Sequence, residues 1–558
     1  MKFQRLSFLI LFLVFFQITD AQETNKPNFI FYLADDQDQL DYGAYGNPKV
    51  HTLAVDKLAS EGMLFKKVYA GQAICASSRS QIFTGLYAME NGCMANHLPV
   101  KSDVLSITYY LKSAGYEVVL AGKSHVKPSS VFSWSKYFPP INQRYLPLES
   151  IDTYLENVNK SFCLIIASDL PHGPYPSDTD YTKEDIYQLP YNGTWVANWK
   201  PGYYQNIKDD NMQLEQVLEM VDNHGFKDNT LFAYSSDHGI TGKYGVSEPG
   251  LRVPLVIRWP GNIVPQSTSE TLISLIDLLP TFLDIIDVNI PEEMDGKSFY
   301  NTLKGEIEIV HKYIYGISTR QNIQKCAVFP SRMIRGQQFK FIRNYNSVDV
   351  VESNYGANSN VNAFIEIGAN RFPSVPYEEL YDLNADPYEN DNLILNSTYQ
   401  NKKEELATAL EAWMQDQNDF LLTHKMPLLC PTLHPLDKNS QWNTVSSELE
   451  STLTTNDYIS LHYNCSVLGL SDLNTVKNSN LFSISENPIK NWLQLKFNTV
   501  DAYRVTLYNL KGQQLLQKEY NKIDNTTINT RFLKRGVYIV SSYSKNTKQL
   551  SNLKFIKQ

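Results

Sequence analysis

The chain has 558 residues, 42% of them hydrophobic, six cysteines and a net charge of −9. That length allows more than one domain and a large core. The acidic balance argues against a general nucleic-acid binder, which needs a broad basic face. Six cysteines at irregular spacing make neither a dense disulfide framework nor a CxxC metal signature.

In the opening MKFQRLSFLILFLVFFQITDAQ, Lys2 and Arg5 precede an apolar run from Leu6 to Phe16, and small Ala21 follows. This is the pattern of a secretory signal peptide over residues 1–21. The run is short of the ~20 residues that a membrane span needs, and no later segment reaches that length. The expectation is an exported protein with no span in its mature form.

Four apolar runs follow: Asn28 to Asp36, Tyr116 to Lys123, Ser161 to Ala167 and Asn229 to Asp237. Such runs suit strands buried on both faces of a parallel sheet. Helical patterns over Val55–Gly62, Ser106–Gly115 and Met212–His224 alternate with them, which predicts an α/β domain with a mostly parallel central sheet. Ligands in such folds sit beyond the carboxyl ends of the strands. Asp35, Asp36, Lys123, His125, Asp237 and His238 all fall there, and His172 follows the third run.

A catalytic α/β domain is expected over 27–312 and a smaller α+β subdomain over 313–427. The second contains a hairpin pattern at Ser331–Arg343 and a helix from about Lys402 to Asp416. Residues 428–480 are polar, weakly periodic and rich in Ser, Thr and Asn, as a linker would be. Short alternating strands at Trp492–Phe497, Tyr503–Asn509 and Gly536–Ser542 then predict a small β-sandwich over 481–558.

Paired acids at one strand end and an acid with an imidazole at another can form a carboxylate-dominated site for a hard cation such as Ca²⁺ or Mg²⁺. Lys123, His125, His172, Arg79 and Lys243 would add a cationic nest, which suits an anionic tetrahedral group and its transition state. Cys75, in ICASSRSQIFTG, stands among small polar residues four positions before Arg79. Its neighbours leave open a structural role, a thiol nucleophile or the precursor of something else. Arg320, Arg332, Arg335 and Arg343 suit planar anions, but ordinary salt bridges are the simpler reading for each.

These blocks resemble, in order, those of the type I formylglycine-dependent sulfatases of the alkaline-phosphatase-like superfamily. Cys75, Ser78 and Arg79 match its C-x-P-S-R motif, with Ser77 in place of proline, and Thr84-Gly85 follows. Ala34-Asp35-Asp36, Gly122-Lys123-Ser124-His125, Pro171-His172, Ser236-Asp237-His238-Gly239, Lys243 with Glu248, Arg252-Val-Pro-Leu-Val and Glu379-Leu-Tyr-Asp-Leu-Asn-Ala-Asp-Pro387 match its other blocks. The resemblance covers about residues 27 to 425.

It implies that Cys75 is oxidised to formylglycine by a formylglycine-generating maturation enzyme. The hydrate would attack the sulfur of a sulfate ester. Asp35, Asp36, position 75, Asp237 and His238 would hold Ca²⁺, with Mg²⁺ the lesser fit. Arg79 and Lys123 would hold the nucleophile, His125 would take a proton as sulfate departs, and His172 and Lys243 would contact the ester. A sulfated glycan such as algal ulvan is the implied substrate. An N-sulfate, or a phosphate or phosphonate ester, remains open on the same scaffold, as does an inactive glycan-binding relic.

The tail motifs Phe482-Ser-Ile-Ser-Glu-Asn-Pro488, Leu507-Tyr-Asn-Leu-Lys-Gly512 and Leu533-Lys-Arg-Gly-Val-Tyr538 resemble the C-terminal sorting domain of type IX secretion. This implies passage through the periplasm to the cell surface or medium, with that machinery as a partner. A carbohydrate-binding sandwich is the rival for this segment.

Overall fold

A computed structural model describes residues 26–94, 96, 99–188, 196–306, 309–318, 331–344, 378–423, 481–509, 514–547 and 550–558. The expected signal peptide, the expected linker and Arg320 lie outside the described residues. The chain divides into two compact units, Met1–Leu470 and Ser471–Gln558.

The first unit is built on eight strands: β1 (Asn28–Ala34), β2 (Met63–Tyr69), β3 (Glu117–Gly122), β4 (Lys136–Phe138), β5 (Phe162–Ala167), β6 (Thr230–Ser236), β7 (Arg252–Arg258) and β8 (Ser267–Ser274). Their order in the sheet is β4-β3-β5-β1-β6-β7-β2-β8. β7 alone runs against the others, so the sheet is mixed but mostly parallel. All seven residues of β1 are buried, and they alternate between two cores. Phe29, Phe31 and Leu33 enter one, and Ile30, Tyr32 and Ala34 enter the other. Successive strand residues point to opposite faces, so both faces of the sheet are covered, which makes an α/β sandwich.

The helices Leu53–Ser60, Leu148–Asn157 and Lys200–Asn223 supply the second core, with Val55, Ile151 and Val217. Ile107–Ser113 and Leu278–Ile285 serve the first, through Leu111 and Phe282. The helix Lys200–Asn223 begins twelve residues before the apolar pattern at Met212. Pro201 stands in its first turn, where a missing N–H costs nothing.

A four-stranded antiparallel sheet of β9 (Ile314–Ser318), β10 (Ser331–Arg335), β11 (Phe339–Asn344) and β12 (Glu378–Asp382) forms the smaller subdomain. The helix Gln400–Asp416 packs Leu406, Leu410, Trp413 and Met414 into the same core as Ile334 and Phe341.

The C-terminal unit is a curled sheet of β13 (Phe482–Ile484), β14 (Trp492–Asn509), β15 (Gln514–Asn529), β16 (Gly536–Ser544) and β17 (Leu550–Lys557). The two strands expected before Asn509 are one. The first half of β14 pairs with β13 and its second half with β16, and register shifts after Lys496 and around Asp501 mark the bend. Such irregularities sharpen local twist, and Leu493, Leu495, Val505, Leu507, Val540 and Phe555 close a core inside the curl.

Candidate active site

β3, β5, β1 and β6 are consecutive in the sheet, so their carboxyl ends form one continuous edge. Asp35 and Asp36 leave β1, Lys123 and His125 leave β3, His172 follows β5, and Asp237, His238 and Lys243 follow β6. Cys75 opens the ten-residue helix Cys75–Thr84 beyond β2, where free amide groups and the helix dipole favour negative charge. Asp36 and His125 have φ of 67° and 54°. Left-handed backbone is costly for residues with a side chain and gathers at functional sites.

One ligand atom from each of Asp35, Asp36, Cys75 and His238 lies within 4.8 Å of all the others, and all four residues are buried. Cys75 Sγ is 3.4 Å from Asp35 Oδ1 and 3.3 Å from His238 Nε2. His238 Nδ1 is 3.1 Å from the Gly239 carbonyl, to which it must donate. In the neutral ring, Nε2 then turns its lone pair toward Asp36 Oδ1 at 3.2 Å. A lone pair facing a carboxylate oxygen is the arrangement of two ligands awaiting one cation.

Three cations enclose this cluster. Arg79, fully buried, places Nε 3.0 Å from Asp237 Oδ2 and Nη2 3.4 Å from Asp35 Oδ2. Lys123 pairs with Asp35 and, at 2.6 Å, with Asp169. Lys243 grips both oxygens of Asp36, at 2.9 and 2.7 Å, and stands 3.8 Å from Cys75 Sγ. Asp237 also accepts from the amides of Asp36 and His238. His172 Nε2 is 3.6 Å from Asp36 Oδ2. His125 is half-buried on the loop that carries Lys123.

Burial alone would raise the Asp35 carboxyl, but the Lys123 and Arg79 charges hold it well below the usual range. Burial, joined by the Asp35 charge, pushes the Cys75 thiol well up, with Lys243 opposing. An unmodified Cys75 is therefore a poor thiolate, and thiolate is the form a cysteine nucleophile needs.

Residues 27–288 match the sulfatase family, and residues 236–359 match the C-terminal region of N-sulphoglucosamine sulphohydrolase. An ulvan-active sulfatase of Formosa agariphila is 48% identical over 457 residues, covering 79% of this chain and 91% of the relative. The chain is a sulfatase. Solved structures of a 2-O GAG sulfatase (TM-score 0.58, 21% identity, 77% and 100% of the two chains) and of the phosphonate monoester hydrolase of Agrobacterium radiobacter (TM-score 0.57, 18% identity, 70% and 96%) share its fold. Residues 486–558 match the secretion-system C-terminal sorting domain, a type IX sorting domain, so the sulfatase is an exported protein. Among the described residues no helix is long and apolar enough to cross a membrane.

The sulfatase brings Asp35, Asp36, Cys75, Arg79, Lys123, His172, Asp237, His238 and Lys243 into one chain of contacts, and His125 lies on the loop that carries Lys123. Asp169, Arg144 and Asn206 were not singled out by the sequence. Asp169 bridges Lys123 and Arg144, with Arg144 Nη1 at 3.9 Å. Asn206 Nδ2 and Arg144 Nη2 donate to the His172 carbonyl at 3.2 and 3.1 Å, and Ser78 Oγ donates to the Asp237 carbonyl at 2.6 Å. Asp169 ends an apolar run like the other acids, a signal that could have found it. Arg332 pairs with Asp419, Arg335 approaches Glu248, and Arg343 pairs with Glu378 and Glu411, so these three are structural ion pairs.

Proposed function

We propose that the chain hydrolyses sulfate esters of a sulfated polysaccharide, ulvan or its oligosaccharides, through formylglycine at position 75 and a bound Ca²⁺. The observation that carries this is the convergence of four ligand atoms within 4.8 Å, ringed by Arg79, Lys123 and Lys243. Buried carboxylates are hard oxygen donors, and Ca²⁺ accepts irregular sets of them more readily than Mg²⁺. Asp35, Asp36, Asp237, His238 and the position-75 side chain would hold the cation. Bound there, it would offset the acids and polarise the sulfate oxygens.

The hydrate of formylglycine would supply the hydroxyl that attacks sulfur. Arg79 and Lys123 hold that hydroxyl in its anionic form, since nearby positive charge favours an oxyanion. His172 and Lys243 bind the ester oxygens, and one of them supplies or polarises the proton that the departing sugar oxygen takes. His125 accepts the proton released from position 75 as sulfate leaves, work that suits an imidazole near neutral pH. The balance is hydrolysis: one water in, a sugar hydroxyl, sulfate and a proton out.

The 48% identity to an ulvan-active sulfatase supports the glycan. The match of residues 236–359 to an N-sulphoglucosamine sulphohydrolase favours N-sulfate hydrolysis as a second reading. The test is the mass of the peptide containing position 75 after co-expression with a formylglycine-generating enzyme, followed by sulfate release from ulvan oligosaccharides and from an N-sulfated glucosamine. A loss of about 18 Da, an aldehyde oxygen replacing H₂S at the nucleophile position, with release from ulvan alone, is expected. An unmodified thiol in an active preparation refutes the mechanism. Release from the N-sulfate alone moves the function to the second reading.

A further inference from the structure

A groove of about 470 Å³ opens beside the active site, lined among others by Arg144, Tyr145, Tyr175, Asp178, Gln205 and Asp209. It shares a wall with the site. The segment Pro171–Pro176 turns His172 Nε2 toward Asp36 on one side and places Pro174, Tyr175 and Pro176 on the groove on the other. Arg144 ties the two together, its Nη2 donating to the carbonyls of both His172 and Pro174 at 3.1 Å. Arg144 Nη1 is buried without a hydrogen-bond partner among the described residues.

The lining has the chemistry of a sugar site. Tyr145 is 44% exposed, and Tyr175 is braced from behind by a stacked Trp199, ring centroids 5.0 Å apart. Such rings present rigid apolar faces with a polar tip, which the C–H faces of a pyranose can cover. Asp178 and Asp209 are carboxylates able to accept sugar hydroxyls. Gln205 is held by its bonds to Asp209 and to the amide of Asp180. Arg144 is the cation among the lining residues, at the end nearest Asp169 and Lys123. The volume lies within the ~300–1,000 Å³ range of small-ligand clefts.

We infer that this groove is the subsite for the sugar unit next to the sulfated one. Tyr145 and Tyr175 are its walls, Asp178 and Asp209 the acceptors for its hydroxyls, and Arg144 the donor for an oxygen close to the scissile ester. The inference rests on the glycan-sulfatase reading. It makes the enzyme one that senses chain length, with affinity for the neighbouring unit added to that for the sulfate.

The test compares kcat/KM for 4-nitrophenyl sulfate with that for the sulfated monosaccharide and disaccharide obtained from ulvan, using full-length matured enzyme. The parent should favour the disaccharide over the sulfated monosaccharide by tenfold or more. Tyr145→Ala and Asp178→Asn, both on exposed side chains, should each remove most of that gain and leave the aryl sulfate rate within twofold. A parent that cleaves all three with no length preference, or variants that keep the preference, overturns the subsite and leaves the sulfatase mechanism standing. A matured parent that cleaves the aryl ester and no ulvan fragment overturns both the ulvan reading and the subsite built on it.

Discussion

Replacing Lys243 by Met should move substrate turnover and metal affinity in opposite directions. Three buried carboxylates, Asp35, Asp36 and Asp237, face three cations, Arg79, Lys123 and Lys243. Formal charge in the cluster is therefore zero, and a divalent cation raises it to +2. That matches the single negative charge of a sulfate monoester plus one on the attacking oxygen. Lys243 sits 2.7 Å from an Asp36 oxygen, and a Ca–O bond of ~2.4 Å would put the cation about 5 Å from the ammonium. At an effective dielectric of 20, a divalent cation and a unit positive charge at that distance repel by ~7 kcal/mol. Removing Lys243 relieves this and frees both Asp36 oxygens, so the Ca²⁺ midpoint should fall at least tenfold. Turnover loses a preorganised positive donor, a change worth ~10²–10³ in rate. Thermal unfolding against Ca²⁺ concentration reads the first effect, and hydrolysis of 4-nitrophenyl sulfate at saturating Ca²⁺ reads the second. A Ca²⁺ midpoint that rises, or turnover within threefold of the parent, would falsify this account of Lys243.

Asp419→Ala should destabilise the chain by ~3–5 kcal/mol, because it strands a buried charge: Arg332 bonds Asp419 at 2.5 and 3.1 Å with neither side chain exposed. Urea denaturation measures it, and a loss below 1 kcal/mol would count against a structural role for this pair. Burial lifts the Asp210 carboxyl to about 7, with hydrogen bonds from Ser168 and Tyr32 opposing. Between pH 4 and 7 the unfolded chain has lost that proton and the native chain keeps it, so stability falls as pH rises, by up to ~1.4 kcal/mol per unit. Asp210→Asn should therefore gain on the parent across that window and no further above pH 7; a constant difference from pH 4 to 7 would contradict the buried-acid argument. Removing residues 481–558 in a type IX-competent host should hold the enzyme in the periplasm with hydrolytic activity in lysates; undiminished export would make the tail something other than a sorting signal.

The parallel strands were legible because burial on both faces leaves unbroken apolar runs, and the site acids were legible because they end those runs. The helix that opens on Cys75 was not. Every residue of Cys75–Thr84 is buried, yet most are polar, so no apolar stripe marks it. Part of its polar surface is spent inside, Ser78 on the Asp237 carbonyl, Arg79 on two carboxylates and Thr84 on the Ser80 carbonyl, while Ser80 Oγ and the Gln81 side-chain amide are buried without a hydrogen-bond partner among the described residues. β15 was missed for the opposite reason: its side chains are mostly exposed, and it is held by backbone pairing to β14, which leaves no trace in hydropathy. Arg144 and Asn206 lie 25 or more residues from the segment they hold, and nothing local in sequence reports such a contact.

The pairing of lysines with the clustered acids also bears on how the chain folds. Burying Asp35, Asp36 and Asp237 together without compensation would cost several kcal/mol per ion, and a chain reaching its native state before it meets a cation needs that charge balanced from within. Arg79, Lys123 and Lys243 supply the balance. Their contacts differ in kind: Arg79 is wholly enclosed, with further bonds to the Lys123 and Ser168 carbonyls, whereas the Lys243 side chain is 13% exposed and its charge rests on Asp36. A cation entering the site would displace Lys243 from Asp36 more readily than Arg79 from Asp237. The freed ammonium would then be available to the sulfate of an incoming ester, so that on the proposed mechanism one ion pair would serve folding first and substrate binding afterwards.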